Sequence, residues 1–200
     1  MIDAGHTRGV LVTLAFAAAL AACASRPAEH FYTVSAGTSV PDPGAAAQRI
    51  VVSPIVIPAL IDRPQLVVRT SGHEIEVLEN HRWADSLSVD LTRALVNDLR
   101  KLRSGSDIVA AGAPQSQGSG QILDVVIAEL LSGPGPSTSF QASWELHDRT
   151  RDCVIRESYR AAILTPAGYE AIPAAYAEAM SRLAEAIAQT IRERPACAGT

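Results

Sequence analysis

The chain has 200 residues, 48% hydrophobic and 4% aromatic, with a formal net charge of −4. Its basic residues are nearly all arginine, Lys101 being the only lysine, and no block of like charges stands behind the net value. Together these exclude a nucleic-acid footprint and argue against aromatic platforms for stacking bases or sugars.

Residues 1–9 lead into an apolar run over 10–22 broken only by Thr13, the layout of a secretory signal. As a helix such a run is only about 20 Å long, short of the ~30 Å hydrocarbon core, so it does not read as a permanent span. It ends in Leu20-Ala21-Ala22-Cys23, which resembles the lipobox of bacterial lipoproteins. The resemblance implies cleavage before Cys23, a diacylglycerol on its thiol, and acylation, as by palmitate, of the freed amine. Three chains, at about 0.8 kcal/mol per buried methylene, hold far more firmly than one myristoyl group. Asp3 offsets Arg8, so the leader is less basic than usual. Ala24 follows the cysteine where aspartate would retain it, which by analogy with enterobacterial sorting implies the periplasmic face of the outer membrane rather than the inner one.

The organisation expected is a signal peptide over 1–22, a lipidated cysteine and tether over 23–48, one domain over 49–194 and a tail over 195–200. An exported part of this size suffices for one core. With Cys23 lipidated, Cys153 and Cys197 remain. An oxidising periplasm permits a disulfide between them, fastening the tail to a strand; two free thiols are the alternative.

Residues 24–48 are rich in Ala, Pro, Gly, Ser and Thr and bury little, as a tether should. Phe31-Tyr32-Thr33-Val34 is the exception, with the composition of an edge strand. The apolar run over 49–57 is long enough for one buried strand, and Pro54 within it suggests an edge or a bulge. A loop over 58–64 leads to a hairpin, 65–70 and 74–78, around Ser71-Gly72-His73. From near Trp83, Leu87, Leu91, Leu95, Leu99 and Leu102 recur at helical spacing up to Ser104-Gly105, a stripe that reads as core rather than as a zipper. A short strand at 108–110, a loop at 112–120 and three β segments at 121–131, 139–146 and 153–164 follow, the last three read as an antiparallel meander. Glu157 falls on the apolar side of the third. A final helix over 174–192 aligns Tyr176, Met180, Leu183, Ile187 and Ile191 before Pro195. The fold class is therefore α/β, a single domain in which a mixed, largely antiparallel sheet carries two amphipathic helices.

No reactive constellation emerges. His30, His73, His81 and His147 fall at expected strand ends or loops, where solvated side chains are ordinary, and none has metal-ligand spacing. His73-Glu74 lacks the second histidine of a zinc-protease helix, and no Gly-x-Ser-x-Gly elbow is present. Gly118-Ser119-Gly120 precedes a strand, the wrong context for a phosphate cradle. Asp124 and Glu129, five apart on a regular strand, are expected on opposite faces. An enzyme, a metal and a cofactor are accordingly not expected.

Pro58-Ala59-Leu60-Ile61-Asp62-Arg63-Pro64-Gln65-Leu66-Val67-Val68-Arg69 resembles the PqiC-like family, the ABC-type transport auxiliary lipoproteins. Phe31-Tyr32-Thr33-Val34 shortly after the lipobox matches as well, and so does Glu79-Asn80-His81-Arg82-Trp83-Ala84-Asp85-Ser86-Leu87 opening the long helix. The similarity runs from about Phe31 to Ile191. It implies a periplasmic partner of an MCE-type lipid transport system, docking the MCE protein at the outer membrane as a homo-oligomer, with no catalytic residues to carry over. Two prolines fix a loop that presents charge at little ordering cost, so Asp62, Arg63, Pro64 and Gln65, with Arg82 and Trp83 at the helix start, are the candidate partner-binding residues. The bland reading pairs Arg63 with a neighbouring acid and places Trp83 in the core. Two rival functions stay open: a structural scaffold for an outer-membrane or cell-wall complex, and direct lipid carriage, which requires an apolar cavity.

Overall fold

The computed structural model describes residues 28–34, 48–103, 106–113, 120–133, 135–148 and 150–194. The signal peptide, Cys23, the centre of the tether, Ser104-Gly105, Gly118-Ser119, Pro195 and Cys197 lie outside them.

The chain forms one eight-stranded mixed sheet and two helices. The strands are β1 (His30–Tyr32), β2 (Gln48–Val52), β3 (Gln65–Ser71), β4 (Glu74–Trp83), β5 (Ser106–Ala110), β6 (Gln121–Ser132), β7 (Ser137–Asp148) and β8 (Cys153–Leu164). The helices are α1 (Leu87–Leu102) and α2 (Ala171–Glu193). The long strand β6 organises the sheet. One of its edges pairs along its whole length with β7, which pairs with β8. The other edge is shared: β2 lies parallel at Gln121 to Leu123, Val56 bridges Val126, and Val68 of β3 meets Ser132. Beyond β2 lies β5, parallel to it; beyond β3 lie β4 and then β1, the latter parallel to β4.

The meander is built as its period-two pattern demands. Phe140, Ala142, Trp144 and Leu146 of β7 are buried while Ser139 and Ser143 are exposed. The helices cover the buried face and pack on each other. In α1, Leu87, Leu91, Leu95 and Leu99 are at most 2% exposed, whereas Leu102, the last residue of the helix, is 40% exposed and does not belong to the stripe. In α2, Tyr176, Met180, Leu183, Ile187 and Ile191 are all buried, and the Tyr176 hydroxyl donates to the Leu130 carbonyl at 3.1 Å. Burial pushes that phenol far above its usual range.

Other details also differ from what the sequence leads one to expect. Pro54 is not within an edge strand: β2 ends at Val52 and is internal, flanked by β5 and β6. The helix α2 starts at Ala171 rather than after Pro173, because a proline in the first helical turn sacrifices an N–H that has no intrahelical partner. Glu79 to Trp83 do not open a helix; they complete β4, and α1 begins at Leu87. Asp124 and Glu129 share a face, because a bulge between Ile127 and Glu129 inserts one residue and resets the alternation: they sit opposite Glu145 and Gln141. Each has its own partner, His147 at 3.6 Å and Arg69 at 3.9 Å. Glu157, the misfit on the apolar face, is paired with Arg194 at 3.0 Å.

Candidate functional site

The proline-bounded loop is a turn held from beneath. Ile61, 3% exposed, plugs into the core, and its N–H and that of Asp62 both donate to the Pro58 carbonyl, at 3.0 and 3.2 Å. The Arg63 N–H turns back to the Ile61 carbonyl at 2.9 Å. Asp62, Arg63 and Pro64 are thereby left exposed on a fixed backbone, with Gln65 half-buried at the start of β3.

The same turn is fastened to the far end of β4. The Trp83 N–H donates to the Pro64 carbonyl at 2.7 Å, and Gln65 lies opposite Arg82 in the antiparallel register. The Gln65 amide also donates to Glu79 at 3.2 Å. Phe31 of β1 is in register with Arg82 from the other side, so Phe31, Arg82 and Gln65 form a row across three strands. Phe31 is 60% exposed. Trp83 points the other way. It is buried and stacks on Tyr176 with ring centres 5.4 Å apart, the core position that one of its two readings gave it. Five of the six candidate residues thus converge on one surface, and the sixth supports it from below.

An aromatic cluster at the same edge, on the opposite face of the strand, escaped sequence reasoning. His81 is not at a strand end but within β4. It stacks on His30 at 5.0 Å and on Tyr32 at 5.8 Å, meets the edge of Tyr169 at 4.8 Å, and bonds the Tyr32 hydroxyl through Nδ1 at 2.8 Å. Desolvation first, and then the Glu170 carboxylate, raise the Tyr32 phenol. The only sequence signal was composition, since the grouping depends on the register of His30 with His81.

Tyr169 also borders a cleft of about 510 Å³ between the ends of β3, β6 and β7 and the segment leading into α2. Its lining is mixed, from Val68 and Ile172 to Arg69 and Glu76. Ser132, Thr138 and Thr165 join in a chain of buried hydroxyls beneath it, at 2.8 and 2.7 Å. Cys153, which opens β8, is disulfide-bonded, with a partner outside the described residues. Among the described residues no three His, Cys, Asp or Glu are placed to hold a metal, and no helix is long and apolar enough to cross a membrane.

The model of the ABC-type transport auxiliary lipoprotein component family matches residues 32–188. The chain belongs to that family. The match runs from the last residue of β1 into α2 and includes both the Pro58 to Pro64 turn and β4, so both are part of an ABC-type transport auxiliary lipoprotein component. Two solved structures share the fold. The crystal structure of an uncharacterized protein, 17% identical, aligns with a TM-score of 0.70 over 82% of this chain and 99% of that one. A DUF330 protein from Xanthomonas campestris, 18% identical, aligns with a TM-score of 0.60 over 80% and 94%. A PelC dodecamer from Paraburkholderia phytofirmans, 13% identical, aligns with a TM-score of 0.45 over 72% and 90%. No curated protein matches the sequence.

Proposed function

We propose that this auxiliary lipoprotein is the anchored periplasmic subunit of an MCE-type lipid transport system, docking the periplasmic MCE protein at the outer membrane. The family match carries this reading, because it joins a transport role to a lipoprotein whose sequence has the lipobox-like Leu20 to Cys23. The geometry supports it. A docking surface works best when its groups are already ordered, and Asp62, Arg63 and Pro64 are exposed on a turn closed by backbone hydrogen bonds at both ends. Gln65 and Arg82 extend that surface, and homo-oligomers of the domain would repeat it around the partner.

Arg63→Glu tests the assignment. The side chain is exposed, so thermal unfolding stays unchanged while capture of the MCE protein by the lipoprotein falls severalfold. Undiminished capture removes Arg63 from the interface.

A further inference from the structure

The position of β1 constrains how the domain meets its membrane. β1 is not part of a free tether: it pairs with β4 from His30 to Tyr32, and the Ala84 N–H donates to the Tyr32 carbonyl at 2.8 Å. Immediately afterwards the chain is locked again. The Asp90 carboxylate on α1 accepts from the Thr33 hydroxyl at 2.8 Å and from the Val34 N–H at 2.5 Å, and Val34 itself is buried. From Cys23 to His30 there are seven chain steps, which span at most about 25 Å when fully extended. If Cys23 carries the lipid, the β1 edge cannot stand farther than that from the membrane surface.

Phe31 is displayed on this edge, 60% exposed. Phenylalanine is among the side chains that interfacial segments bury at the boundary between headgroups and acyl chains, and an apolar side chain kept within reach of that boundary by a covalent lipid gains burial at little further ordering cost. The aromatic cluster of His30, Tyr32, His81 and Tyr169 is at the same edge on the opposite face of the strand. Charges of both signs stand close by, Glu29 before the strand and Glu170 near Tyr32 against Arg82 in register with Phe31, so burial of the apolar ring rather than net attraction to anionic lipid is the driving force. We propose that the β1 edge is the membrane-facing edge of the domain, with Phe31 seated in the lipid interface. Arg82 and Gln65, in register beside it, stay with the docking surface, which this orientation brings to the membrane boundary.

The inference rests on lipidation of Cys23, and the experiment separates the two. The full lipoprotein carrying Phe31→Trp is placed in phosphatidylcholine vesicles with or without brominated acyl chains, alongside a Val154→Trp control. Val154 is 40% exposed at the start of the far strand β8, and native Trp83 and Trp144 are both buried. The tryptophan at position 31 is expected to emit at shorter wavelength and to lose about half its intensity in brominated vesicles, while that at position 154 keeps its intensity. Emission from position 31 that brominated lipid leaves unchanged, in protein that floats with the vesicles, overturns the orientation. Equal quenching at both positions overturns it too. Protein that does not float and whose Cys23 is unmodified by mass spectrometry overturns the lipidation reading, and this inference with it.

Discussion

The N–H of Trp83 donates to the carbonyl of Pro64 at 2.7 Å, and this one bond ties an exposed turn to a buried ring. Trp83 is packed on Tyr176 of α2, so the backbone that presents Asp62, Arg63 and Pro64 is referenced to the core. Gln65 and Arg82 flank the same bond in paired strands.

Trp83 and Arg82, neighbours in sequence, should therefore behave oppositely. Trp83→Ala empties a core site and is expected to cost about 3–5 kcal/mol in urea unfolding. Arg82→Glu, on the other side of the strand, should change stability by less than about 1 kcal/mol while weakening capture of the MCE protein. Loss of capture without destabilisation in Trp83→Ala would place its ring at the interface instead.

Asp90 is 2% exposed and holds Thr33, Val34 and Arg93 together. Asp90→Ala leaves buried donors unpaired, which costs about 1–3 kcal/mol. The loss should be concentrated at the N-terminal edge, with faster amide exchange at Val34 and easier proteolysis around β1. Exchange at Val34 as slow as in the parent protein would show that β1 is held without this clamp.

Asp148 gives a pH signature. Desolvation pushes its carboxyl up, but hydrogen bonds from Gln121 and from the N–H groups of Thr150 and Arg151, with the Arg151 charge, outweigh it and hold the group below its ordinary value. A depressed carboxyl stabilises the native state above the unfolded value, about 3.9, and that contribution is lost as pH falls through the lower folded value. Asp148→Asn should be less stable than the parent protein near neutrality, and the gap in urea midpoints should shrink below about pH 4. A gap independent of pH would mean that the charge is not what matters there.

Much of this architecture was legible because its periodicities are local. The leucine spacing of α1 and the alternation of β7 report which face is buried without knowledge of the neighbour. What could not be read depends on pairing. The bulge at Ile127 to Glu129 puts Asp124 and Glu129 on one face, and nothing in β6 itself distinguishes it from a regular strand. The polar run Glu79-Asn80-His81-Arg82 resembles a helix entry, but edge pairing with β1 and β3 holds it extended. The aromatic cluster follows from that same pairing. As for the candidate surface, the prolines announced a fixed turn at Asp62 to Gln65; its junction with Arg82 required the Pro64 to Trp83 bond.

The domain is expected to work only where its lipid holds it, and membrane-barrier function in cells whose sole copy carries Cys23→Ala measures this directly. The chain is expected to be exported, folded and soluble in the periplasm, with sensitivity to detergents as high as in cells lacking the protein. Full resistance with the soluble chain would contradict the claim, since docking would then need no anchor.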